Sequence, residues 1–175
     1  MRRELTQDVL KIALTYNSLS GVFTRNLTTG NRALKGSIAG TRDVNGYGVI
    51  RLNTLRYTST SLAWLYMTGE HTDSLIDHID GNPYNDRWDN LRKANHVTNA
   101  YNSKIRTDNN TGVKGLTLSR EGHFVARITI NKVPLYIGTY KLKEDASKQI
   151  EQYREFHHKD FANNGEHICQ RQIQI

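Results

Sequence analysis

Between Leu75 and Asn102 the chain changes texture in a way that leaves few folds open to it. Leu75-Ile76-Asp77-His78-Ile79 alternates apolar and polar residues, the period of a half-buried strand. Asp80-Gly81-Asn82-Pro83 follows, four residues that all favour a turn. Leu91–Ala94 suits a second short strand, and Asn95 is a suitable N-cap for a helix running to about Asn102. The predicted order is strand, loop, strand, helix. On that helix Asn95, Asn99 and Asn102 fall at i, i+4 and i+7 and share one face.

This segment also collects reactive side chains. Asp77-His78 closes the first strand, and the asparagines return on the helix. Carboxylate and amide oxygens are hard donors, which suit magnesium or manganese better than zinc. Neighbouring strand residues point to opposite faces, so one of the pair can hold a cation while the other faces a substrate. A neutral histidine, with an ordinary pKa of about 6.5, can take a proton from water near neutral pH. A cation beside it can offset the charge of a phosphate under attack. Those parts suffice for phosphodiester hydrolysis.

The run Asp77-His78-Ile79-Asp80-Gly81-Asn82, with Asn85-Asp86-Arg87, Asn90-Leu91-Arg92, Asn99 and Asn102, closely resembles the HNH (ββα-metal) nucleases. Within them it is nearest to the phage homing-endonuclease branch. Trp64-Leu65-Tyr66 and Gly69-Glu70 fit the usual lead-in, and the resemblance covers about residues 20–105. It implies that Asp77 is the first metal ligand and His78 the general base that activates the attacking water. It implies that Asn90 braces the loop and orients His78, and that Asn99 is the second metal ligand, with Asn102 the neighbouring choice. One divalent ion, Mg2+ or Mn2+, and double-stranded DNA are implied as cofactor and substrate, with 5′-phosphate and 3′-hydroxyl products. A monomer of this kind nicks DNA, and a double-strand cutter is a homodimer. Thr60-Ser61 stand where the family often has His-Arg, and His71 and His96, without a family role, read as surface residues.

The end of the chain has its own pattern. Val113–Ser119, His123–Ile130 and Leu135–Tyr140 read as three strands, joined by turns at Arg120-Glu121-Gly122 and Asn131-Lys132. Residues 143–158 read as a helix, with Ala146, Ile150, Tyr153 and His157 near one stripe. A helix on one side leaves the other sheet face bare. Gly112-Val113-Lys114-Gly115-Leu116, Phe124-Val125-Ala126-Arg127-Ile128 and Tyr136-Ile137-Gly138-Thr139-Tyr140 resemble the plant ethylene-response-factor type DNA-binding domain over about residues 110–163. The resemblance implies that this bare face lies in the major groove. It makes Lys114, Arg120, Arg127, Thr129, Lys132 and Tyr136 the DNA-facing candidates, with Arg127 suited to guanine and the lysines to phosphates.

The expected class is therefore α+β. A small β-rich N-terminal region, residues 1–60, leads through a short helix at Ser61–Met67, capped by Ser61 and stopped by Gly69, into the ββα-metal core. A three-stranded antiparallel sheet on one C-terminal helix follows. The predicted partition is a nuclease domain at 1–106 with its motif at 74–102, a linker at 107–112, a DNA-binding domain at 113–163 and a tail at 164–175. Charge fits a polyanionic partner: the formal net charge is +7, and the first 70 residues carry nine basic and four acidic side chains. Arg25, Arg32, Lys35, Arg42, Arg51 and Arg56 supply candidates for phosphate contact there. No apolar run approaches a membrane span, and Met1-Arg2-Arg3-Glu4 opens no secretory signal. A lone cysteine, Cys169, fits a reducing compartment, which the phage resemblance makes the bacterial host cytoplasm. A DNA-binding regulator with an inactive nuclease core is the alternative from another class.

Overall fold

In the computed structural model, which describes residues 5–165, the first element is a helix that hydropathy alone does not reveal. Helix α1 (Gln7–Ala13) starts because the Thr6 hydroxyl accepts the Val9 amide, and Asp8 lies in its first turn, where a negative charge suits the helix dipole. Within its seven residues only Leu10 is fully buried, so no apolar stripe marks it in the sequence. Residues 1–60 therefore contain this helix as well as the expected strands and turns. The described residues fall into two compact units, one running up to Lys93 and the other starting at Ala94.

In the first unit, β1 (Leu14–Asn17) and β2 (Val22–Arg25) form an antiparallel hairpin. Next come β3 (Thr41–Arg42), β4 (Gly48–Leu52) and β5 (Leu55–Thr58), an antiparallel sheet in sequence order. Helix α2 (Ser59–Thr68) begins two residues before the predicted start. Thr58 rather than Ser61 is its cap, with the Thr58 hydroxyl accepting the Ser61 amide at 3.2 Å. Gly69 ends it in the left-handed conformation, as its position suggests. Then β6 (Leu75–His78) and β7 (Leu91–Ala94) pair as a two-stranded sheet. Leu10, Leu14, Tyr16, Phe23, Ile50, Leu62, Leu65 and Leu91 make the core of this unit. Trp64 and Trp88 pack against each other beside it, ring centroids 5.1 Å apart.

The second unit opens with α3 (His96–Tyr101), capped reciprocally by Asn95 and Thr98. Strands β8 (Leu116–Leu118), β9 (Phe124–Ile130) and β10 (Val133–Tyr140) form an antiparallel sheet with β9 at its centre. Helix α4 (Lys143–His158) covers one face, joining Ala146 and Ile150 to Leu116 and Ala126. The buried stripe of α4 is Ala146, Ile150, Arg154 and His158, a strict four-residue step. The sequence pattern favours Tyr153 and His157 for the far half of the stripe because they are less polar than Arg154. The class is α+β, as predicted. Among the described residues no helix is long and apolar enough to cross a membrane. Cys169, most of the predicted tail and Met1-Arg2-Arg3-Glu4 lie outside the described residues.

Candidate nuclease centre

Strand β6 delivers Asp77 and His78 in succession, and both are buried, at 9% and 4% exposure. The His78 ring meets a carboxylate that sequence reasoning passes over: His78 Nε2 lies 2.9 Å from Asp86 Oδ1. Asp86 is 2% exposed and forms a hub. Ser59 Oγ donates to its Oδ2 at 2.7 Å, Arg42 Nη1 lies 3.0 Å from the same oxygen, and the Tyr16 hydroxyl donates to its carbonyl at 2.6 Å. Burial alone would raise the pKa of Asp86, but hydrogen bonds from His78 and Ser59 and the Arg42 charge outweigh it and hold the carboxyl below the usual range. The ionised carboxylate then keeps the hydrogen on His78 Nε2 and sets the ring's orientation. Burial, with the Asp86 charge nearby, pushes the Tyr16 phenol well above its ordinary range.

Two glycines make room for this hub. Gly21 has φ +74°, and a Cβ there would sit 2.4 Å from the Asp86 carbonyl carbon. A Cβ on Gly48 would fall 2.1 Å from Ser59 Oγ. The loop between β6 and β7 is tied by its own side chains. Asn90 Oδ1 accepts the Asp80 amide at 3.0 Å, while its Nδ2 donates to Asp80 Oδ1 at 2.9 Å and to the Asn85 carbonyl at 2.8 Å. Asp80 Oδ1 accepts the Asn82 amide, and Asp80 Oδ2 accepts the Asn85 side chain. Arg42 closes the loop from outside, donating to the carbonyls of Pro83 and Tyr84 at 2.7 and 3.1 Å. Sequence reasoning offers Arg42 to phosphate, whereas its partly exposed guanidinium is already engaged by Asp86 and by the carbonyls of this loop.

Asp77 Oδ2 accepts both Nε and Nη2 of Arg92, at 3.0 and 2.9 Å. As a donor set, one carboxylate and one asparagine oxygen fit a hard divalent ion that completes its shell with water and phosphate. Asn99 lies exposed on α3 and Asn102 is its buried C-cap. Asn102 Oδ1 accepts the Asn163 amide at 2.9 Å, so of the two Asn99 is the more accessible donor. Asp77 belongs to the first compact unit and Asn99 to the second. Among the described residues no group of three or more His, Cys, Asp or Glu is placed to hold a metal.

In the second unit, the β9 residues that face away from α4 are Val125, Arg127 and Thr129, with Arg127 and Thr129 exposed. Tyr136 is the cross-strand partner of Arg127, so these two share the open face with Thr129. Arg120 lies in the turn before β9 and Lys132 in the turn after it. Lys114 stands apart from this group. It is turned inward, and its Nζ donates to the carbonyls of Tyr101 and Ser103, both at 2.7 Å.

The residues that sequence reasoning misses are Asp86, Ser59, Tyr16 and the inward role of Arg42. Asp86 stands inside the quoted motif but among asparagines and aspartates with turn roles, and nothing in its spacing sets it apart. Ser59 and Tyr16 lie 27 and 70 residues from it in sequence. Only tertiary structure brings them together.

Comparison with known proteins gives this arrangement a class: the HNH endonuclease family matches residues 61–102, from within α2 to the end of α3. The chain thus carries an HNH endonuclease segment. It is also similar to Protein 3.8 of Escherichia phage T7, 54% identical over 46 residues that cover 26% of this chain and 38% of that protein. The chain therefore spans well under half the length of that relative. No solved structure matches the chain.

Proposed function

We infer that this chain is a metal-dependent, site-specific DNA endonuclease that hydrolyses one phosphodiester bond per site to 5′-phosphate and 3′-hydroxyl ends. The observation that carries the reading is the coincidence of the HNH match with Asp77-His78 at the end of β6, where His78 is fixed by the buried Asp86 carboxylate. His78 serves as the general base toward the attacking water, and Asp86 holds its ring in place. Asn90 keeps the loop that carries Asp86 in shape. Asp77 and Asn99 would hold one Mg2+ or Mn2+ ion, which when bound supplies charge stabilisation at the scissile phosphate. The basic first unit and the open sheet face of the second, with Arg127, Thr129 and Tyr136, supply DNA binding. The ethylene-response-factor-like pattern of residues 110–163 supports a major-groove role for that face. The similarity to a phage protein supports a phage homing or nicking enzyme acting in a bacterial cell.

One observation favours the second reading, a DNA-binding protein that does not cut. Asp77 and His78 both face charged partners, Arg92 and Asp86, that hold them in place. A supercoiled-plasmid assay with magnesium, manganese or EDTA, on wild type beside His78→Ala, separates the two. Metal-dependent conversion to open circle, lost in the variant with DNA affinity retained, is the expected result, and direct linear product means a dimer. If wild type shifts DNA mobility in every buffer yet leaves it intact, the nuclease reading falls.

A further inference from the structure

The second unit buries positive charge that no acidic side chain among the described residues bonds directly, although the Glu151 charge acts on Arg154. A cavity of about 400 Å³ opens between α3, β9 and the far end of α4. Tyr101, Lys114, Arg127, Lys132, Arg154 and His158 line it, and among the described residues no acidic side chain does. Arg154 is only 2% exposed, yet its guanidinium donates to neutral acceptors, the Lys114 carbonyl at 2.7 Å and Asn164 Oδ1. Lys114 Nζ likewise rests on two backbone carbonyls. Burial, with Arg154 nearby, pushes the Lys114 ammonium down to about 8.

The histidine of this cavity points the same way. The His158 ring lies flat on Tyr101, centroids 3.6 Å apart and planes within 5°. Its Nε2 is paired with the Thr129 carbonyl at 2.9 Å, while its buried Nδ1 has no hydrogen-bond partner among the described residues; burial and the Arg154 and Lys114 charges lower its pKa, a shift that a bound anion would oppose. Lys132, at the rim, is held at φ +69°, a left-handed conformation unusual for a residue with a side chain. The turn that holds it is pinned by the Tyr101 hydroxyl, which accepts the Asn131 amide at 2.7 Å. Buried cations are normally matched by a counter-charge, and a buried polar nitrogen by a partner. Among the described residues the cations that line the cavity have no acidic side chain beside them there, and an anion would supply that counter-charge.

We propose that this cavity is a phosphate-binding site, and that in the protein–DNA complex it receives a phosphate of the DNA backbone. The DNA half of this statement rests on the function inferred above. Several donors of different reach converge on one space, which suits a tetrahedral anion with oxygens on every side better than a flat carboxylate. The site is also continuous with the open sheet. A second cavity, of about 560 Å³, shares Lys114, Arg127 and Thr129 with it and extends past Thr117 and Pro134. A backbone phosphate in the pocket would thus set the register of DNA lying on Arg127 and Tyr136.

The test begins with the whole wild-type chain. Inorganic phosphate is titrated at constant ionic strength while the His158 ring and Lys114 Nζ resonances are followed by NMR, with chloride as the control. Saturable shifts of both with phosphate alone are expected, and their absence, or an equal response to chloride, overturns the site. Lys114→Met keeps the aliphatic stem, and it should weaken phosphate binding at least tenfold. Because Lys114 also supports two carbonyls, Lys132→Ala provides a surface variant that leaves those bonds intact; a loss of roughly threefold is expected, and no loss in either folded variant overturns the site. Duplex binding against salt then identifies the source of the phosphate. Removing one backbone contact should lower the salt slope by about 0.9 in Lys114→Met. An unchanged slope with phosphate binding intact in wild type refutes the DNA-backbone part and assigns the pocket to a free phosphate monoester. A chain that saturates with phosphate but binds no duplex keeps the pocket and overturns the nuclease reading. One that cuts DNA without phosphate saturation overturns the pocket alone.

Discussion

Replacing Asp86 should damage the first unit more than any other single change near His78. The side chain is 2% exposed and receives Ser59 Oγ, His78 Nε2 and Arg42 Nη1 within 3.0 Å. Asp86→Ala leaves the buried His78 N–H and Ser59 hydroxyl without their acceptor and removes the counter-charge of Arg42, which keeps its bonds to the Gly46 and Pro83 carbonyls. Removing one partner from a buried pair costs about 3–5 kcal/mol. Arg42 is partly exposed, so its share is discounted and about 3 kcal/mol is the working figure. For a unit of this size that lowers Tm by at least about 12 °C. Both tryptophans of the chain, Trp64 and Trp88, lie in the first unit, so thermal unfolding followed by tryptophan fluorescence reads that unit alone.

Asp86→Asn keeps the shape and isolates the charge. The folded carboxyl has a depressed pKa, so its stabilisation is present above the unfolded value of about 3.9 and is lost as pH falls through the folded value. The stability gap between wild type and Asp86→Asn should therefore be widest near neutrality and close as pH drops below about 4. A gap that stays constant down to acid pH, or an Asp86→Ala variant within about 1 kcal/mol of wild type, refutes the reasoning.

Gly21→Ala should destabilise the same unit by about 2 kcal/mol or more, because the residue is left-handed and its new methyl would strike the Asp86 backbone. Chemical denaturation read by tryptophan fluorescence checks this, and a neutral substitution would show that the close approach relaxes freely. Arg92→Gln removes the positive charge bonded to Asp77 Oδ2. Manganese affinity, read by the loss of the free-ion paramagnetic signal, should rise roughly tenfold, about 1.4 kcal/mol. Equal or weaker binding counts against Asp77 as a metal ligand.

Where the chain repeats a short-range rule, the sequence is legible. Strand alternation at β9, the Asn95 cap and the Gly69 stop depend on neighbours within a few residues, and each is found where the pattern puts it, whereas β6 forms where expected but leaves Leu75 exposed and buries Asp77 and His78 together. Helix α1 is missed because its burial rests on one leucine. The α4 stripe is misread beyond Ile150 because polarity argues against an interior arginine, which the Lys114 carbonyl, Asn164 and the nearby Glu151 charge make acceptable. In the candidate site the adjacent pair Asp77-His78 is visible from sequence, but its counter-charges are not. Arg92 lies 15 residues from Asp77 and Arg42 lies 44 from Asp86. No local period encodes such a meeting.

The interior edge of α4 changes chemistry halfway along: Ala146 and Ile150 are followed by Arg154 and His158. The first half holds the helix to the sheet at no electrostatic cost, and the second half draws the Arg154 guanidinium away from water. A ligand that binds only the folded form stabilises it in proportion to occupancy. A polyanion held by these cations should therefore protect the far end of α4 more than its first half.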